Sequence, residues 1–580
     1  MLDTQLARLE ASELVRRLKE EELAYLIKHG LVQETARASL LLHERKRLSQ
    51  LVGEALEKLY PARRAELAPL LAQHFANAGN DEKTLAYATL AGDEAMRVNA
   101  NALALEQYTR ALELAQRLDA ASDVLQNLFL KRGRVLELSS DYNAALEHYE
   151  TMRRTAETRK DRALELAALM ACATIHAVPS VVYDAARAKK LSARALRLAR
   201  ALKDKEAEAK ILWNMMLMES RVGKGYRVAR KHGQAALKIA RENNLRERLA
   251  YLLNDLSPLL VFHGEAERGT QYNLEARALW REFGNLPMLS SNFGYATMNH
   301  LIVGELDEAF AASAEGLRIS REIGNAWNEA FAQTWIGEAY VERGEIETAI
   351  RVMGAAVELG TRVFPPTLVM TQSDLARLYA DCGDTARGIE LSERALAVAD
   401  QRFPALRPWA VGALGHANIL AGDLERARAL LGEPPDLARD EYNPRFSIDT
   451  LRAHIELALA DGDFARALTL CDALLEYGQT NALRQYEPDV LRLRALAWMG
   501  LEKWDEAAQA LENARVSATE MTARWSLMDI FEAARALEMA RGNVDAAKNF
   551  GAQANELREY IAARMPEELR GGFLRVVSNQ

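Results

Sequence analysis

Seven segments of this chain repeat one pattern at intervals of 39 or 40 residues: GELDEAF from Gly304, GEIETAI from Gly344, GDTARGI from Gly383, GDLERAR from Gly422, GDFARAL from Gly462, EKWDEAA from Glu502 and GNVDAAK from Gly542. The series runs back through GEAERGT at Gly264 and, at looser spacing, GKGYRVA at Gly223, VVYDAAR at Val181 and SDYNAAL at Ser140. A fixed period of this length means one supersecondary unit stacked many times, because a single unit cannot bury its own apolar face. Each unit reads alike. An apolar-periodic helix ends, Gly supplies the turn, and Asp or Glu follows where the next helix dipole favours negative charge. Five residues after the Gly stands a small side chain, Ala309, Ala349, Gly388, Ala427, Ala467 and Ala547, with Ala507 in the same place of the Glu502 unit, which lets the two helices of a unit approach closely.

Composition agrees with helix. Ala, Leu, Glu and Arg dominate, Pro is sparse at 14 of 580 residues, and 49% of the chain is hydrophobic, enough for a large core. The net charge is −8 and both signs are interleaved, so no surface for nucleic acid is expected. Cys172, Cys382 and Cys471 lie far apart without metal spacing, and no apolar run reaches membrane-spanning length, so a cytoplasmic, membrane-free protein is expected.

Twelve residues before the small position another small residue recurs, as Gly337, Ala376, Gly415 and Ala495, and an aromatic follows three later, as Tyr340, Tyr379 and Trp498. These residues resemble the tetratricopeptide repeat, whose usual period is about 34 residues, so the units here are longer. The resemblance implies a mostly all-α fold: a right-handed solenoid of about twelve helical pairs over 81–565, with a tail at 566–580. Arg535 and Glu538 depart from the pattern in the last unit, as expected of a terminal repeat facing water. It also implies that the first helix of each pair lines a concave face. The position three before the small residue reads Asn214, Asn254, Gly294, Thr334, Ser373, Gly412, Arg452 and Arg492; the position one after includes Glu338, Arg377, His416 and Glu456. With the aromatics Tyr251, Phe331 and Trp409, that column suits a small molecule, a peptide or a protein partner. The plainer reading is that its polar members are solvated and that Trp213 or Trp335 packs between helices.

At the N-terminus, LARLEASELVRRLKEEELAYLIKHG reads as a helix, a strand over 14–18, a charged turn over 19–22 and a strand over 23–28. A helical pair ending at Pro61 follows, and 61–80 reads as a connecting arm. Helix, hairpin and helices over 1–60 resemble the back end of a winged helix. Ile27, Lys28, His29, Leu31, Val32, Gln33 and Glu34, with ALEKLYP, ELAPLLAQHF and the closing PEELRGGFLRVV, resemble the bacterial STAND signal-transduction ATPases, in which a P-loop module and winged helix precede a helical-repeat sensor. The resemblance implies that His29 contacts the phosphates of ADP bound in the P-loop module; a histidine satisfying a helix terminus is the alternative. It implies no cofactor held by this chain alone, ADP or ATP being expected in the chain's own N-terminal ATPase module.

The sequence contains no G-x-x-x-x-G-K-[ST], no G-x-G-x-x-G unit and no paired zinc-binding histidines. It therefore reads as the sensing part of a larger protein, beginning inside the winged helix, and not as an enzyme. A stand-alone scaffold for a peptide or protein is the other reading. Recognition of DNA by GLVQETARASLLL is disfavoured, since Arg37 is its one basic residue.

Overall fold

The computed structural model describes every residue except 1, 13, 18–24, 28–29, 99, 140, 178–181, 183, 222–224, 438–443 and 579–580. Among the described residues are 29 α-helices and two short strands, and the chain divides into two compact units, Met1–Lys203 and Asp204–Gln580. No described helix is long and apolar enough to cross a membrane.

The N-terminal unit starts with the helix Leu2–Ala11 and the strands Val15–Arg17 and Tyr25–Ile27, antiparallel with Val15 opposite Ile27. The expected hairpin is present; its turn, like His29, lies outside the described residues. The helices Gly30–Ser39 and Leu42–Leu59 follow, then a 3-10 turn begun by Pro61 and the helix Ala68–Ala78. Three helical pairs complete the unit, from Asp81–Arg97 with Asn101–Arg117 to Arg162–Ala177 with Ala185–Leu202. One continuous core runs through it, with Phe75, Tyr108, Phe129, Tyr149 and Met152 nearly inaccessible.

The C-terminal unit holds nine further pairs, from Lys205–Arg221 with Tyr226–Glu242 to Arg524–Ala540 with Val544–Ala562. The period is visible in the backbone. Gly264, Gly304, Gly344, Gly383, Gly422, Gly462, Glu502 and Gly542 all have φ between 57° and 86°, the left-handed conformation that ends the first helix of each pair. The following N–H closes back five residues, as Glu305 to the His300 carbonyl at 2.8 Å and Asp384 to Tyr379 at 2.8 Å. That same residue then caps the second helix: Asp384, Asp423 and Asp463 accept from the amides of Arg387, Arg426 and Arg466. A second left-handed series, Asn244, Gly284, Gly324, Ala482 and Thr522, separates one pair from the next; its residue types vary, so the sequence does not announce it. The small positions Ala309, Ala349, Ala427, Ala467, Ala507 and Ala547 are buried as expected, and at Gly388 a Cβ would meet the Ala376 carbonyl oxygen at 2.8 Å. The looser turn positions Ser140, Val181 and Gly223 fall outside the described residues.

Within this unit the array returns onto itself. The Gly264 turn lies against Thr480, five pairs further on; Gly304 lies against Arg484 and Met521, and Gly344 against Tyr560 and Ile561. The Glu347 amide donates to the Arg564 carbonyl at 2.8 Å, and the Tyr560 hydroxyl donates to Glu345 at 2.8 Å. An apolar core forms across this contact from Ile346, Met353, Leu378, Met528, Ile561 and Phe573. The last repeat therefore does not simply face water. Its second helix, and the helix Glu567–Ser578 that occupies the expected tail, pack against pairs near residues 346–382.

Two glycine substitutions separate these roles. Gly462 has a left-handed backbone, and a Cβ added there would meet nothing within 4 Å, so Gly462→Ala should cost only conformational strain, about 1–2 kcal/mol. At Gly264 a Cβ would also stand 2.1 Å from the Thr480 carbonyl oxygen. Gly264→Ala should therefore cost about 1–3 kcal/mol more, measured by denaturant unfolding of the two variants.

Candidate functional site

Closure of the array narrows its inner face to a partly open chamber. Side chains from six consecutive pairs meet there around a cavity of about 150 Å³, lined by Glu338, Glu342, Arg377, Asp381, Arg452, Asp489 and Asp529 among others. It shares Asp381, His416, Glu456, Arg492, Trp525 and Asp529 with a neighbouring cavity of about 280 Å³.

Charge is arranged in two linked groups. In the first, His416 sits between two carboxylates, with Nδ1 2.7 Å from Glu456 and Nε2 2.7 Å from Asp381, while Arg377 donates to the other Glu456 oxygen at 2.8 Å. Burial and the Arg377 charge oppose protonation of His416, but Glu456 and Asp381 outweigh them and raise its pKa. Burial likewise works against the Glu456 charge, yet His416 and Arg377 hold that carboxyl well below its usual range.

The second group is a ladder. Arg452 donates through Nη1 to Asp449 at 3.2 Å and through Nη2 to Asp489 in the next repeat at 2.5 Å; Arg492 donates through Nη2 to Asp489 at 2.7 Å. Burial penalises the Asp489 charge, but the two guanidiniums keep it ionised far below its ordinary pKa. The rungs come from one sequence motif. Asp449-x-x-Arg452 and Asp489-x-x-Arg492 stand 40 residues apart, and the next copy is Asp529-x-x-Glu532. Glu532 pairs instead with Arg535 and Arg558, away from the ladder. Asp529 thus ends the series with no arginine of its own. Burial, and then the charges of Asp489, Asp381 and Glu342, push its carboxyl up to about 7 against the pull of Arg492. Glu342, bonded to the Ser526 hydroxyl at 2.7 Å, is also pushed to about 7, chiefly by burial.

Of the positions singled out in the sequence, Glu338, Arg377, His416, Arg452 and Arg492 are brought together here, with Gln485 donating to Glu338 at 2.7 Å. The others are placed differently. Most of the column three before the small residue lies where neighbouring first helices touch, which explains its small size. A Cβ on Gly412 would meet the Asp449 and Thr450 backbone at 2.5 Å, and one on Gly294 would meet the Phe331 ring at 2.7 Å. Thr334 is buried and accepts from Thr371 at 3.1 Å; Asn254 is fully buried and accepts from Asn292 at 3.0 Å. Phe331 and Trp409 are buried, the latter donating to Asp374 at 2.8 Å. Tyr251 packs on Trp213 and edge-on to Trp280, and Asn214 is half-buried on the helix Lys205–Arg221. Projection onto a repeat pattern missed Glu342, Asp381, Asp449, Asp489 and Asp529. The 40-residue recurrence of Asp-x-x-Arg is the signal that points to the last three. Among the described residues no three His, Cys, Asp or Glu side chains are grouped to hold a metal ion.

No protein-family model and no curated protein matches the chain. Solved structures of similar fold include the APC/C hetero-tetramer Cut9–Hcn1, at 16% identity and a TM-score of 0.47, covering 93% of this chain and 95% of that one. A tetratricopeptide repeat protein from Parabacteroides merdae is similar at 15% identity and a TM-score of 0.28, over 48% of this chain and 98% of that one. A STAND protein with a tetratricopeptide repeat sensor from Pyrococcus horikoshii is similar at 14% identity and a TM-score of 0.39. That comparison covers 81% of this chain, which spans 59% of the other's length.

The site fixes a pH response. Glu342 and Asp529 titrate higher in the folded state than in the unfolded chain, so the folded state binds more protons between about pH 4 and 7 and loses stability as pH rises through that window. His416, also raised, contributes in the same direction as pH passes its folded pKa. Below about pH 4 the lowered Glu456 and Asp489 reverse the slope. Thermal unfolding of the C-terminal unit should be latest near pH 4, where the two slopes meet, and several degrees earlier at pH 8. Asp529→Asn should flatten that decline.

Proposed function

We propose that this chain is the sensing part of a STAND-type regulatory ATPase, and that it binds its signal in the partly open chamber of the C-terminal array. One observation carries the proposal: charged side chains from six consecutive repeats converge on a cavity that exists only because the array closes onto itself. Burial of so many ionisable groups is unfavourable and argues against a purely structural role, since well-packed apolar residues in the same places would be at least as stabilising. A ligand there touches repeats on both sides of the closing contact, so it favours the closed winding over an opened one. To drive a closed fraction from one part in a hundred to ninety-nine, it must bind the closed form more tightly by about 5.5 kcal/mol.

The winding is then relayed through the N-terminal segments to a P-loop module, where ADP or ATP resides and which His29 contacts in its ADP state. That exchange takes place in the cytoplasm; this chain itself catalyses nothing. A scaffold role is the second reading, and one feature favours it. The helix Leu42–Leu59 leaves Leu48, Leu51, Val52 and Leu59 exposed along one side, a surface suited to a protein partner. Under the first proposal that partner is the chain's own ATPase module.

Native mass spectrometry of the chain purified from its own cells distinguishes the two. The sensor reading expects one small molecule retained per chain, and its loss on mild acidification should increase exchange of the amides at the closing contact. A chain that carries no small mass, and whose closing contact exchanges identically with and without a cell extract, would sink it.

A further inference from the structure

Resting on the reading of the chamber as a signal site, we infer that its ligand is an organic cation with N–H donors, an amine or a guanidinium, held by Asp529 and Glu342 beside the Trp525 ring. The cavity lining has eight carboxyl groups, Glu338, Glu342, Asp374, Asp381, Asp449, Glu456, Asp489 and Asp529, against three arginines and His416. Each arginine and His416 already meets a carboxylate, Glu456, Asp381, Asp449 or Asp489, with one guanidinium nitrogen of Arg377, Nη1, left unpartnered away from Asp529. What remains near the end of the ladder is acceptor without cationic donor. Among the described residues Asp529 makes no hydrogen bond or close ion pair, feeling Arg492 only at longer range, and the donor to Glu342 is the neutral Ser526. Gln485, only 8% exposed, directs its amide nitrogen to Glu338, and its amide oxygen has no partner.

These acceptors face cavities wide enough for a small organic molecule, and Trp525 lines both. Trp525 and Asp529 lie four residues apart on the helix Arg524–Ala540, hence on one face, and both line the two cavities, which places an aromatic ring and a carboxyl side by side there. That pairing is what a compact organic cation needs: a counter-charge on one side and a ring quadrupole on the other. An anion or a dicarboxylate would add charge of the sign already in excess. The position also has meaning for closure. Asp529 and Trp525 belong to the pair that docks against Glu342 and its neighbours, so one cation bridging Glu342 and Asp529 joins the two turns of the array.

Calorimetric titration of the whole chain with agmatine and 1,4-diaminobutane, alongside glutarate and maltotriose, tests this. The expected result is one-to-one binding of a cationic probe, weakened at least about tenfold in Asp529→Asn and in Glu342→Gln, with neither variant losing helicity. Asp529→Asn breaks no hydrogen bond and Arg492 keeps Asp489, while glutamine can still accept from Ser526, so both variants should fold. Binding of glutarate or maltotriose but of neither cation would overturn the ligand class and leave the chamber as a signal site. Cation binding undiminished in both variants would overturn the placement. Binding of no probe, in a chain that also retains no small molecule from its cells, would overturn the class and the site together.

Discussion

The C-terminal array is held in its winding by contact between pairs five apart, and the rest of the structure follows from that contact. A helical-repeat array is quasi-one-dimensional, each pair touching only its neighbours, and an open array has a solvated inner face. Here the Gly264, Gly304 and Gly344 turns meet chain far along the sequence, at Thr480, Met521 and Ile561. Ile346, Met528, Ile561 and Phe573 share one core across the junction. Apolar burial at the rim therefore offsets the unfavourable enclosure of charge at the centre.

Enclosure changes what the inner side chains do. Arg452 and Asp489 would be weak partners in water, where an exposed pair contributes at most about 1 kcal/mol. Behind the closing contact they cannot separate without leaving a charge unpaired in a low-dielectric space, so Asp489 and Arg452 stay ionised far outside their usual ranges. The ladder runs one repeat past its supply of arginine, which leaves Asp529 without an arginine of its own repeat and within reach of the Glu342 charge. The same closure that makes them unfavourable makes them selective, since a ligand of matching charge relieves both at once.

Much of the fold was legible because turn chemistry is local. A left-handed backbone at Gly304 or Gly383 and a carboxylate cap at Asp384 depend on a few consecutive residues, and they recur wherever the segment recurs. Eleven of the twelve pairs over 81–562 follow from counting them. The site was legible in part. Glu338, Arg377 and His416 lie one residue after the small position and do reach the interior. Thr334 and Gly412 occupy the position the repeat pattern assigns to the groove, but neighbouring first helices come together there, and small side chains are what that contact admits. The closing contact could not be read at all. Which pair meets which depends on a small rotation per repeat summed over five of them, and no short segment encodes it.

Closure is most directly tested at the amide of Glu347. Amides in the first turn of a helix have no partner within it and exchange rapidly; Glu347 is the second residue of the helix Ile346–Arg362, and its amide is bonded instead to the Arg564 carbonyl across the junction. Glu425 holds the equivalent place in the helix Leu424–Leu431 without such a bond and serves as the internal control. Residue-resolved hydrogen exchange should find Glu347 protected and Glu425 exchanging freely. Equal, rapid exchange at both positions would mean that the array is open, and that the charged chamber does not exist in solution.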